Sequence, residues 1–212
     1  MTHIVLTRHG HVEGIAPQRF RGRRDVPLSE DGVVQARALA ARIAQQWQVS
    51  AIYTSPMRRC METGAHIGKA CGLKPQVLAS LNDLDYGSWQ WRTHQEVQAE
   101  FPHQFEEWFS TPDRVRFVGG DSLQDLAART ADALRDVYTR HPDDTVVLVS
   151  HASTNRVLLG QALNQPLSAY WRVAQDPCAI NEIEYVASYT RVERMNDVSH
   201  LPRSEPTAVH DG

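Results

Sequence analysis

The chain has 212 residues, a formal net charge of −3 and 42% hydrophobic residues. This composition is that of a soluble globular protein and excludes fibrous and disordered classes, and the slightly acidic balance offers no broad basic surface for nucleic acid or membrane. Three cysteines, Cys60, Cys71 and Cys178, are odd in number and form no C-x-x-C pair, which argues against a disulfide framework and for a reducing, cytoplasmic setting.

The opening run His3 to Thr7 is apolar, rich in β-branched residues and closed by Gly10, the pattern of a buried strand. It is too short, and too soon interrupted by Arg8, for a signal peptide or a membrane span. A loop rich in Gly, Pro and Arg runs to Leu28. Ser29 then stands as N-cap of a helix whose apolar residues Leu39, Ile43 and Trp47 recur every four positions. A second strand, Ser50 to Thr54, ends at Ser55-Pro56, and proline opens a helix from Met57 to Ala70 with Arg59 in its first turn.

A short third strand is expected at Gln76 to Leu78. The aromatic-rich stretch Leu81 to Thr111 reads as helices over the sheet or a small cap. Ser122 with Asp125 forms a capping box for a helix whose face runs Leu123, Leu126, Thr130, Leu134, Val137. Val146 to Val149 is the clearest buried strand and ends at Ser150-His151, with a helix following from Ser153 to Leu163. Ile183 to Val186 and Thr190 to Met195 alternate as a terminal hairpin. Strands alternating with helices predict an α/β three-layer sandwich, a mostly parallel central sheet covered by helices on both faces. The expected organisation is a single domain over residues 1–200, with a flexible tail at 201–212.

In open α/β sheets ligands bind beyond the carboxyl ends of the strands. Three predicted strands end in chemistry there: one in Arg8-His9, one leading to Arg58-Arg59, one in His151. Guanidinium groups suit a phosphoryl dianion because they bind two oxygens at once. A neutral imidazole can attack phosphorus and form a covalent phosphohistidine. Each feature alone is weak; it is the second histidine and Arg59, reaching the same edge from distant segments, that turn His9 from a structural residue into a candidate nucleophile. With ten histidines a metal site must be weighed, but there is no H-E-x-x-H and no carboxylate cluster with ligand spacing. No metal and no cofactor are expected.

The chain resembles the histidine phosphatase superfamily in its phosphoglycerate-mutase-like branch over nearly its whole length. LTRHG is similar to L-x-R-H-G, RFRGRRDVPLSEDGVVQA to R-F-x-G-x-x-D-x-P-L-T-x-x-G-x-x-Q-A, and TSPMRRCMETG to S-P-L-x-R-A-x-x-T-A. LNDLDYGSWQ, GGDS, LVSHA and NDVSHL resemble the later motifs in the correct order. The resemblance implies His9 as nucleophile, Arg8, Arg59 and His151 as phosphate pocket, Asp83 as general acid, and Arg21, Gly22 and Ala152 at the substrate. It departs from the family at Asp83, where Glu is usual and Asp85 is the alternative acid. Ala152 replaces Gly, Arg21 stands where Gln is common, and His11, Val12 and Ile15 replace a more polar segment. The implied activity is hydrolysis of a small phosphorylated metabolite through a phosphohistidine. Mutase-type phosphotransfer and a catalytically weak phosphate-binding module are the alternatives. Nucleic acid and membrane are not expected as partners, and a homodimer is left open.

Overall fold

The computed structural model describes residues 1–14, 17–186 and 189–202. Ile15 and the tail from residue 203 lie outside the described residues. Strand β1 (Thr2–Arg8) sits near the middle of the sheet, and five of its residues, Ile4, Val5, Leu6, Thr7 and Arg8, are fully buried. It pairs in parallel with β4 (Thr145–Ser150), which pairs in parallel with β2 (Val49–Thr54), which pairs with the short edge strand β3 (Gln76–Val77). On its other side β1 pairs antiparallel with β5 (Ile180–Val186), and β5 with β6 (Tyr189–Asp197). The order is β3-β2-β4-β1-β5-β6. The terminal hairpin thus extends the sheet rather than standing apart.

Period-two alternation sorts the strand side chains between two cores. Val5, Ile52, Val147 and Val149 face α1 (Glu30–Gln46) and α2 (Arg58–Cys71), which contribute Ala36, Leu39, Ile43, Cys60 and Ile67. Ile4, Leu6, Ala51, Tyr53, Val146 and Leu148 face the opposite way, onto Leu134 and Val137 of α5 (Leu123–Arg140) and Leu158 and Leu159 of α6 (Ala152–Ala162). Both faces are covered, as the sequence predicts for a parallel sheet with continuous apolar strands. Trp47 falls just past the last turn as the C-cap residue of α1, still packs partly buried against the α1–α2 core, and stacks its indole on the His3 ring with centroids 6.4 Å apart.

The aromatic stretch forms a third cluster above the sheet edge. α3 (His94–Glu100) and α4 (Pro102–Ser110) hold Trp89 and Trp108, both almost fully buried, against Phe20, Tyr86, Phe117 and Tyr170. These residues pack as a cap, and Trp91 packs against the α1–α2 core, both as core or cap packing of the aromatic stretch anticipates.

Candidate active site

Strands β2, β4 and β1 are adjacent and parallel, so their carboxyl ends share one edge. The register pairs Arg8 with Ser150, which sets the next residues, His9 and His151, side by side. The His9 N–H donates to the Ser150 carbonyl at 3.0 Å, and the imidazole centroids lie 5.3 Å apart. β2 leads through Ser55-Pro56 into α2, whose first turn carries Arg59 between the two rings. Gly10 is required by close approach: a Cβ there would sit 2.6 Å from the Gly32 carbonyl oxygen at the start of α1.

The hydrogen-bond network assigns the His9 tautomer. His9 Nδ1 lies 2.7 Å from the Gly10 carbonyl, an acceptor only, so Nδ1 carries the proton. Nε2 keeps its lone pair and accepts from Arg59 Nε at 3.2 Å. His151 is the mirror case. Its Nδ1 accepts from Arg59 at 3.0 Å (Nη2) and 3.3 Å (Nε), and its Nε2 lies 2.7 Å from Ser55 Oγ, to which it donates. Arg59, with no exposed side-chain surface, also donates to the Gly22 and Arg24 carbonyls and pairs with Asp83 Oδ2 at 3.0 Å.

Both imidazoles are held well below the ordinary histidine pKa. Burial is the largest cause for each, followed by the Arg59 charge; Arg8 adds to both, and Arg129 adds to His151. A neutral imidazole in a cationic pocket is what attack on a phosphoryl dianion needs. The nearby Cys60 thiol, 3.5 Å from His151 Nε2, is pushed up to about 12 by burial and stays protonated.

A narrow cleft opens over His9. Of the residues anticipated from sequence, Arg8, His9, Arg21, Gly22, Asp83 and Ala152 line it, and Arg59 and His151 lie directly behind. Asp83 is 7% exposed: Oδ2 pairs with Arg59 and lies 3.5 Å from His151 Nδ1, while Oδ1 accepts from the Leu84 N–H at 2.9 Å and from the Ser153 hydroxyl. Asp85 is turned away, bonded to Arg23 at 3.2 Å and to the Gly87 N–H at 3.0 Å. Arg58 is half-exposed and paired with Glu62, so the structure separates the two arginines.

Sequence reasoning missed Arg19, Tyr86, Ser153, Arg156 and Tyr170, which complete the cleft. Ser153 carried a signal, two residues beyond His151 in the first turn of a helix. Tyr170 and Arg156 carried none, because only the packing of α6 against the 167–172 turn brings them there. Among the described residues no cluster of three or more His, Cys, Asp or Glu is arranged to hold a metal ion. No described helix is long and apolar enough to cross a membrane.

Comparison with known proteins gives consistent findings. The family described as histidine phosphatase superfamily (branch 1) matches residues 4–198. Phosphoserine phosphatase 1 of Hydrogenobacter thermophilus is 30% identical over 201 residues, covering 95% of both chains. A probable phosphoglycerate mutase, GpmB of Photorhabdus laumondii, is 29% identical over 206 residues, again covering 95% of both. Among solved structures, Bacillus stearothermophilus YhfR superposes with a TM-score of 0.89 at 27% identity, covering 94% of this chain and 99% of that one.

Proposed function

Because the chain belongs to the histidine phosphatase superfamily, branch 1, and its relatives include phosphomonoesterases, we propose that it hydrolyses a small phosphorylated metabolite with His9 as nucleophile. The observation that carries this reading is the His9 tautomer: Nδ1 committed to the Gly10 carbonyl, Nε2 bearing the lone pair beside Arg59 and His151. Nε2 attacks phosphorus; Arg8 and Arg59 hold the phosphoryl oxygens, His151 orients the Arg59 guanidinium through Nδ1, and Asp83 supplies the proton to the departing alkoxide. Water then cleaves the phosphohistidine, with Asp83 acting as base.

Arg19, Arg21 and Arg156 surround the rest of the cleft, which supports a substrate with a second anionic group. Phosphoserine, in the name of the Hydrogenobacter relative, has such a group in its carboxylate. Phosphoserine and 3-phosphoglycerate are therefore the first substrates to test, by release of inorganic phosphate with EDTA present. The similarity to a probable phosphoglycerate mutase keeps a second reading open. It predicts isomerised phosphoglycerate rather than free phosphate, and product analysis separates the two. An inert protein that still bound phosphate would favour the binding-module reading. The free thiols of Cys60, Cys71 and Cys178 agree with a cytoplasmic setting. The homodimer left open by the sequence is decided by light scattering at micromolar concentration.

A further inference from the structure

We propose that the Ser153 hydroxyl relays the proton between Asp83 and the leaving oxygen of the substrate. The inference rests on the phosphatase reading and concerns how its acid works. Asp83 has a short side chain, and both of its oxygens are occupied: Oδ2 by Arg59 at 3.0 Å, and Oδ1 by the Leu84 N–H at 2.9 Å and the Ser153 hydroxyl. Arg59 and the Leu84 amide fix the orientation of the carboxyl. Ser153, 5% exposed, lines the cleft beside Asp83 and His9 and is in direct hydrogen-bond contact with Oδ1. Ser153 lies in the first turn of α6, two residues after His151, so strand β4 fixes its position relative to both imidazoles. A hydroxyl has one donor and two acceptor sites and can take a proton on one side while giving one on the other.

The steps balance. As His9 Nε2 bonds to phosphorus and the bond to the leaving oxygen breaks, that oxygen takes the Ser153 hydroxyl proton. Ser153 takes the proton of the Asp83 carboxyl, leaving a carboxylate paired with Arg59 and a free alcohol. In the second step water attacks phosphorus, the bond to Nε2 breaks, the water's proton passes to Ser153, and Ser153 returns its own to Asp83.

The test is the dependence of kcat/KM on leaving-group pKa across aryl and alkyl phosphates, for the wild type, Ser153→Ala and Ser153→Thr, each checked by its melting curve. The relay is needed most for poor leaving groups. Ser153→Ala should therefore lose roughly 10²-fold on alkyl phosphates, the lower range for general acid catalysis, and at least tenfold less than that on p-nitrophenyl phosphate. Ser153→Thr, which keeps the hydroxyl, should retain the wild-type slope. Adding Asp83→Glu to Ser153→Ala should recover most of the alkyl-phosphate loss, because the longer carboxyl reaches the leaving oxygen itself. Equal losses of Ser153→Ala on both ester classes, or no recovery in the double variant, would overturn the relay while leaving the phosphatase reading intact. A wild-type protein that turned over no phosphate ester would overturn both.

Discussion

At the residue scale the site is arranged around one guanidinium. Arg59 touches both imidazoles and the carboxyl of Asp83, so its charge helps keep the histidines neutral while it anchors the acid. On the proposed mechanism His9→Ala abolishes turnover with the fold retained, and acid-labile, base-stable phosphoenzyme is trapped from the wild type only. Wild-type activity in a folded His9→Ala protein would sink the mechanism. Arg59→Lys should cost roughly 10²–10⁴ in kcat/KM, since an ammonium cannot bridge the same partners in a plane. Arg58→Ala should cost less than about threefold, because its partner is Glu62 on the helix surface. Steady-state kinetics on both variants would reverse the assignment if Arg58 proved the critical one. The two aspartates separate in the same way. Asp83→Asn should slow alkyl phosphates far more than p-nitrophenyl phosphate, and Asp85→Asn should discriminate little, being tied to Arg23 outside the cleft. A selective loss in Asp85→Asn would move the acid there.

At the element scale, strand ends and helix starts do the positioning. The loop carrying His9 is pressed onto the N-terminus of α1, where the Ser29 side chain accepts from Gly32 N–H at 3.1 Å and the Ser29 N–H donates to the His11 carbonyl at 3.0 Å. A Cβ at Gly32 would lie 2.1 Å from the His11 carbonyl oxygen, which is backbone and cannot swing aside. Gly32→Ala should therefore destabilise by about 3 kcal/mol, the upper part of the overpacking range, and lower Tm by roughly 6–12 °C in a chain of this size. It should also reduce activity by displacing His9, and unchanged Tm and kcat would contradict the packing. Ser122→Ala gives a milder case. It removes a capping box whose residues do not line the cleft, so about 1 kcal/mol should be lost with little change in kcat.

At the scale of the whole molecule, burying two imidazoles beside arginines links stability to pH. His9 and His151 titrate near 6.5 when unfolded and well below it when folded, because burial and the Arg59 charge oppose protonation. Between those values the unfolded chain binds more protons, so stability rises with pH through that window. The contribution is fully present above about 6.5 and is lost as pH falls toward the folded values. Calorimetry from pH 8 down to pH 5 should show Tm falling below that point, and a folded double variant, His9→Asn with His151→Asn, should fall less steeply. Parallel curves for the two proteins would place the acid sensitivity elsewhere.

Much of this was readable along the chain. The buried strands ending in Arg8-His9 and Ser150-His151 and the Ser29 and Ser122 caps are local patterns, and local physics suffices where periodicity or a capping hydroxyl decides the backbone; Pro56 marks the approach to α2 but lies just ahead of its N-cap, Met57. The convergence of His9, Arg59 and His151 was inferable because the carboxyl ends of parallel strands share an edge. What the sequence could not decide was which atoms meet. The Nδ1 proton of His9 depends on the Gly10 carbonyl, and the seating of Asp83 on Arg59 and Ser153. Arg156 and Tyr170 reach the cleft through the packing of α6 on a turn that no local pattern connects to it. These contacts span segments far apart in the chain, and their geometry is set only when the sheet order brings the strands together and burial removes the water that would otherwise satisfy each group alone.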